Sequence, residues 1–60
     1  MELLTKAQVG ELLALHPESV MRLSREGKLP RAIKIGGRPG SAVRFDKAEI
    51  EACVASQRAA

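Results

Sequence analysis

The sequence predicts a mostly α-helical domain with one small β-hairpin, in the order helix, turn, helix, hairpin, helix. Two observations predict this fold class. Apolar residues recur at helical spacing on both sides of a short turn, and after Pro30 the hydrophobic period shortens to that of a strand. The chain has 60 residues, which allows one small domain, and we assign all of residues 1–60 to it.

The first helix is predicted by its start signal. Thr5 followed by Gln8 has the spacing of a capping box, and Leu4 and Val9 have the spacing of a hydrophobic staple across it. Apolar residues at positions 9, 12 and 13 then follow a helical period, so we expect a helix over about residues 6 to 14.

The stretch "HPESVMRLSREGKLP" predicts a second helix with a defined start and stop. Leu15 and His16 form the turn before it, and Pro17 suits the first helical position, where a backbone N–H would have no partner. Gly27 is expected to end the helix in the left-handed conformation. His16 is expected to cap the helix, and a phosphate contact is a second role open to it.

Two alternating segments, "AIKI" and "AVRF", predict the strands of a hairpin, and "GGRPGS" between them predicts a loop of about six residues. The alternation is expected to place Lys34 and Arg44 on one face of the hairpin. The large apolar side chains are expected on the other face, namely Ile33, Ile35, Val43 and Phe45.

A third helix is predicted after the hairpin. Asp46 and Glu49 repeat the capping-box spacing, and Ile50, Cys53 and Val54 form an apolar stripe behind it. Two helices joined by a tight turn make a helix-turn-helix, and a hairpin directly after the second helix adds a wing. The predicted order of elements is therefore that of a winged helix-turn-helix.

Composition narrows the function classes. A single cysteine cannot form an internal disulfide, and one cysteine with one histidine argues against a metal site. No signal peptide and no apolar run of membrane-spanning length is recognisable, so we expect no membrane partner and a cytoplasmic location, with the nucleoid when DNA is bound. We see no catalytic constellation, and we expect neither an enzyme nor a cofactor.

The charge distribution predicts a polyanionic partner. The net charge is only +3, but seven basic residues and one acidic residue lie between Arg22 and Arg44. Single-strand binders and most sequence-specific RNA binders stack bases on aromatic side chains, and Phe45 is the only aromatic residue of this sequence. Double-stranded DNA is therefore the expected partner.

The second helix has one side free to read that DNA. Steps of about 100° per residue from Val20, at the centre of the buried side, place Glu18, Arg22 and Arg25 on the opposite side. Arginine can pair with guanine in the major groove, and a carboxylate can accept a hydrogen bond from cytosine. Ser19 lies beside them and could contact a base edge or a phosphate.

An ordinary exposed helix explains part of the same pattern. Glu18, Arg22 and Glu26 are spaced as a ladder of ion pairs, each worth only about 0.2–0.5 kcal/mol. Glu18 and Glu26 are therefore open to either interpretation, whereas Arg25 lies outside the ladder.

The wing carries cations with no acidic neighbours in the sequence. A hairpin with basic side chains and a glycine-rich tip suits contact with phosphates or with the minor groove. The predicted wing contacts are Lys34, Arg38 and Arg44.

Residues 3–53 resemble the excisionase and AlpA-type prophage-regulator family, whose domain is related to that of MerR. The shared elements are "LLT", "SVMRLSREGKLP", "KIGGR" and "VRFDKAEIEA". The resemblance implies a winged helix whose second helix enters the major groove while the hairpin reaches the adjacent minor groove. Ser19, Arg22 and Arg25 match the recognition-helix positions, Arg38 lies in the wing tip, and a small polar residue is usual in the family where His16 stands.

The resemblance implies two related functions. An excisionase bends attachment-site DNA and steers an integrase toward excision, whereas an AlpA-type regulator acts on transcription. Cooperative assembly of several copies on DNA is a hypothesis that follows from the family and from the small size. A terminase small-subunit module, which usually continues into a long assembly segment where this sequence ends, is an alternative of another class. A protein–protein adaptor would lack affinity for duplex DNA.

Overall fold

A computed structural model describes residues 1–36 and 42–58 of the chain. These residues form three helices and three short strands. In chain order the elements are β1 (Leu3–Leu4), α1 (Lys6–Leu13), α2 (Pro17–Arg25), β2 (Ile33–Ile35), β3 (Ala42–Asp46) and α3 (Lys47–Arg58).

The predicted start of α1 is confirmed in detail. The Thr5 hydroxyl accepts a hydrogen bond from the Gln8 N–H at 3.0 Å, and the Gln8 side chain accepts one from the Thr5 N–H at 2.8 Å. The helix ends one residue earlier than predicted because Ala14 adopts the left-handed conformation, with φ of 59°. The Leu15 N–H then turns back to the Gly10 carbonyl at 2.7 Å.

The turn between α1 and α2 depends on Gly10, which is buried. A Cβ atom at this position would lie 2.5 Å from the Leu15 carbonyl oxygen, so only glycine lets the turn fold against the helix this closely. Helix α2 then begins at Pro17 as predicted. Gly27, with φ of 81°, follows its last turn and confirms the predicted stop.

The sheet has one strand more than the predicted hairpin. β1 pairs with β3, and the strand order is β1-β3-β2. Leu3 lies opposite Asp46 and Leu4 opposite Phe45. Two residues are too few to produce a recognisable alternation, so this strand exists because a distant segment offers it a free edge.

The predicted division of the hairpin faces is wrong. Residues directly opposite each other in an antiparallel pair project to the same face, and Ile33 lies opposite Arg44 while Lys34 lies opposite Val43. Lys34 therefore shares its face with Val43 and Phe45, and Arg44 shares the reverse face with Ile33 and Ile35. The prediction was correct within each strand but displaced by one residue between strands, a slip that exchanges the two faces.

The core is small. Four fully buried side chains occupy its centre, and Leu4, Leu13 and Met21 are among those that pack around it. The buried four are Val9, Val20, Phe45 and Ile50. Leu12, which the sequence placed on the buried stripe of α1, is instead 58% exposed, because at eight residues the helix is short and packs only one narrow side.

Helix α3 starts at the end of β3. Asp46 caps it through Oδ1, which accepts from the Ala48 N–H at 2.9 Å, one residue earlier than the capping-box pattern with Glu49 requires. Cys53 is half-buried as part of the predicted apolar stripe, and its thiol donates to the Lys28 carbonyl at 3.6 Å.

Across the described residues, none of the helices combines the length and the apolar character needed to cross a membrane. In the same part of the chain, no three His, Cys, Asp or Glu side chains are grouped where they could hold a metal ion.

Candidate nucleic-acid interface

One long side of α2 is free of the core, as the helical period predicted. Glu18, Arg22 and Arg25 are exposed, whereas Val20 between them is fully buried. Ser19 is half-buried near the start of the helix. The free side therefore presents two guanidinium groups and a carboxylate on a helix that begins on the protein surface.

Met21 lies at the edge of the free side of α2 that is nearer the wing. It is half-buried and packs against the core. Together with Val43 of β3, Met21 also lines the space between this edge of α2 and the wing. Arg22 and Arg25 consequently face different surroundings, with Arg25 on the edge nearer the wing.

Arg22 takes part in the predicted ion-pair ladder on its C-terminal side. Its Nη1 atom lies 3.7 Å from Oε2 of Glu26, four residues later, and Lys28 Nζ lies 3.7 Å from the other oxygen of the same carboxylate. Glu18 forms no ion pair with Arg22 among the described residues. The ladder is therefore half formed, and Glu18 remains a free carboxylate at the N-terminal end of α2, where the helix dipole favours it.

His16 caps α2 as predicted. Its Nδ1 atom accepts a hydrogen bond from the Glu18 N–H at 3.2 Å, so the imidazole takes the place of the serine or aspartate side chain that is more usual there. His16 is exposed, and the cap uses only Nδ1 of its two ring nitrogens. A phosphate contact through Nε2 is therefore compatible with the cap and stays a prediction.

Ser24 connects α2 to the wing, a role that sequence reasoning missed. Its side chain is buried, with 5% exposed, and its hydroxyl donates to the Pro30 carbonyl at 2.9 Å and accepts from the Ala32 N–H at 3.2 Å. Steps of about 100° per residue from Val20 place Ser24 at the edge of the buried side, and a hydroxyl in that position needs a partner. The need of a buried hydroxyl for a hydrogen-bond partner could have indicated a structural role for Ser24 from the sequence, but it does not identify the partner.

The predicted wing cations are divided between two faces. Lys34 is exposed on the face that looks toward α2, and Arg44 lies on the reverse face, where Nη1 donates to the Val43 carbonyl at 2.8 Å. Arg38 lies outside the described residues, so its predicted contact stays a prediction. The structure therefore brings Lys34, but not Arg44, to the side of the wing nearest Arg25.

Between α2 and the wing lies an open cleft of about 790 Å³. Arg25 lines it from the helix and Lys34 from β2, while Arg31 lines it from the connecting segment. Arg31 was counted in the basic stretch of the sequence but was not among the predicted site residues.

A family model described as a helix-turn-helix domain matches residues 3–58, which is nearly the whole chain. The chain belongs to the helix-turn-helix domain family. No curated protein and no solved structure matches it.

In this helix-turn-helix domain, α1 and α2 are the two helices of the motif, and the turn at Ala14, Leu15 and His16 joins them. The sheet beside α2 makes it a winged helix-turn-helix. Membership in the family makes the protein a DNA-binding one, and the double helix is the partner that such a domain binds. In helix-turn-helix motifs generally, the second helix is the one that enters the major groove.

Proposed function

We propose that this helix-turn-helix domain is a sequence-specific double-stranded DNA-binding protein of excisionase type. It acts by shaping DNA for an integrase and performs no chemistry of its own. The observation that carries the proposal is the placement of Arg22 on the side of α2 opposite Val20, with the wing beside the same helix. A cytoplasmic location follows from this partner.

In the proposed complex, α2 lies in the major groove. A helix of about this diameter fits that groove, and an exposed arginine near its middle can reach the O6 and N7 atoms of a guanine. The wing follows α2 in the chain and would meet the backbone or the minor groove next to it. Ser19 and His16 lie at the N-terminal end of α2 and would contact phosphates there.

Selection from a library of random duplexes, followed by footprinting, tests the proposal. We expect one enriched sequence, protection of both the major-groove edge and the adjacent backbone, and affinity that decreases steeply as salt increases. Equal binding to all duplexes would remove sequence specificity from the proposal. A protein that binds no duplex at all would overturn it.

The excisionase role goes beyond DNA binding and needs its own test. Its support is the resemblance over residues 3–53 to excisionases and AlpA-type regulators. We expect the selected site, placed at different positions in a fragment, to show a bend by electrophoretic mobility, and the protein to stimulate excision by an integrase encoded beside it. Control of a promoter without bending or excision would favour the AlpA-type regulator.

Cooperative assembly on DNA is part of the proposal because a single domain of this size reads few base pairs. A small protein–DNA interface gives a limited affinity for one site, and contacts between neighbouring copies on repeated sites would raise the affinity of each copy for DNA. A binding isotherm on two adjacent sites should be steeper than on one site. Independent filling of the two sites would show that each copy binds alone.

A further inference from the structure

The cleft between α2 and the wing collects positive charge from three separate segments. Arg25, Arg31 and Lys34 all line it, and all three are exposed. Within residues 1–36 and 42–58, no acidic residue lines the cleft and none of the three cations forms an ion pair. Like charges gathered without counter-charges repel one another, so the arrangement favours an anion between them.

The two arginines of α2 therefore differ in what they can do. Arg22 projects beyond the helix and exchanges contacts with Glu26 at 3.7 Å. Arg25 instead borders the cleft, next to the cations of the wing. A side chain beside the wing faces the walls of a DNA groove, where the phosphates are, more directly than its floor, where the base edges are.

Arg31 is held in place from both sides. The buried Ser24 hydroxyl bonds the carbonyl of Pro30 and the N–H of Ala32, the two residues that flank Arg31 in the chain. These bonds tie the backbone around Arg31 to the helix that carries Arg25. The backbone positions that carry the two arginines are therefore fixed relative to each other, which reduces the entropy lost when both side chains bind one ligand.

We propose that Arg25, Arg31 and Lys34 form a binding site for the phosphodiester backbone of one DNA strand. The strand passes through the cleft between α2 and the wing while Arg22 reads bases. The inference rests on the proposed function and deepens it in two ways. It assigns Arg31 to the interface, and it moves Arg25 from base recognition to backbone binding.

The test measures the affinity of glutamine variants for two duplexes, the selected site and an unrelated sequence, over a range of salt concentrations. Arg25→Gln, Arg31→Gln and Lys34→Gln should each weaken binding to both duplexes by roughly five- to tenfold at about 0.1 M salt. Each should also lower the slope of log affinity against log salt by about 0.9, the value for one phosphate contact. Their preference for the selected site should be unchanged.

Two matched variants serve as controls. Arg58→Gln removes an exposed guanidinium from a different groove, between α3 and the far side of α2, and should leave both affinity and salt slope unchanged within error. Arg22→Gln should reduce the preference for the selected site. Because all the substituted side chains are exposed, circular dichroism should show the same folded spectrum for every variant.

Replacement of single phosphates by uncharged methylphosphonates locates the site on the DNA. A replacement that weakens the natural protein but has no further effect on Arg31→Gln identifies the phosphate that Arg31 contacts. If Arg22→Gln alone affects binding and Arg31→Gln retains the natural salt slope, the backbone site is wrong and the proposed function stands. If Arg25→Gln changes sequence preference, Arg25 reads bases and its reassignment fails. If the natural protein binds neither duplex, both proposals fail together.

Discussion

The hydroxyl of Ser24 donates a hydrogen bond of 2.9 Å to the carbonyl oxygen of Pro30. The Ser24 hydroxyl oxygen also accepts a hydrogen bond from the Ala32 N–H at 3.2 Å, so one buried side chain satisfies two backbone groups at the beginning of the wing. This short polar link ties the beginning of the wing to α2.

Ser24→Ala should lower the free energy of unfolding by about 1–3 kcal/mol because it leaves the Pro30 carbonyl and the Ala32 N–H without their partner. Urea unfolding measures the change. Ser56→Ala, at an exposed position of α3, is the matched control and should change stability by less than about 0.5 kcal/mol. Equal effects of the two substitutions would show that the Ser24 link contributes nothing.

Gly10→Ala should destabilise the protein although alanine is the better helix former. Helix propensity favours alanine by about 1 kcal/mol, but the new Cβ would lie 2.5 Å from the Leu15 carbonyl oxygen, and forced overpacking costs about 1–3 kcal/mol. The neighbouring atom belongs to the backbone of the turn and has little room to move. Thermal unfolding should show a lower midpoint, and a higher one would mean that the turn can relax.

Ala14→Gly should stabilise the protein by about 0.5–1 kcal/mol. Ala14 has φ of 59°, a conformation that costs a residue with a Cβ about 1–2 kcal/mol, and the greater freedom of glycine in the unfolded chain offsets part of this gain. Ala7→Gly, at an exposed position inside α1, should have the opposite sign. Chemical denaturation of both variants gives the comparison, and a loss of stability in both would contradict the role assigned to Ala14.

Glu26→Gln tests whether Arg22 serves mainly in an ion pair with Glu26 or is available to bind DNA. The exposed ion pair at 3.7 Å contributes little, so stability should change by less than about 0.5 kcal/mol. Duplex binding should become tighter because the substitution frees Arg22 and removes the negative charge beside it. Arg22→Ala should lose about 1–3 kcal/mol of discrimination at one base pair. Fluorescence anisotropy on matched and mismatched duplexes measures both effects, and an Arg22→Ala protein with natural discrimination would assign Arg22 to the ion pair alone.

His16→Asn should retain the stability of the protein, whereas His16→Ala should lose about 0.5–1 kcal/mol. Asparagine can accept the Glu18 N–H as the imidazole does at 3.2 Å, and alanine cannot. The same pair of variants isolates the predicted phosphate contact. If His16→Asn folds normally and binds duplex DNA as the natural protein does, His16 acts as a cap only.

Local signals account for the helices that could be predicted. The capping bonds of α1 join Thr5 to Gln8, and the cap of α2 joins His16 to Glu18, so all the atoms involved are neighbours in the chain. The exposure of Arg22 and Arg25 followed from the helical period in the same way. The left-handed end of α1 was missed because Ala14 carries no sequence signal for that conformation.

Long-range contacts account for the errors. β1 forms because Leu3 and Leu4 pair with β3, about 40 residues later in the chain. Two residues are too few to show a strand pattern in the sequence. Ser24 finds its partners only after the chain has passed Gly27 and turned back. Arg31 could not be assigned from its position in the basic stretch, because its site consists of three segments that only folding brings together.

The order of the elements, the ends of α2 and the exposure of one side of that helix could be predicted from the sequence, because each depends on residues a few positions apart. Which wing cations face α2 depends instead on contacts between distant segments. An alternating strand shows which of its residues share a face, but the pairing of Ile33 with Arg44 and Lys34 with Val43 depends on how the chain closes between the strands. That register turned Lys34 toward Arg25 and Arg31, and turned Arg44 away.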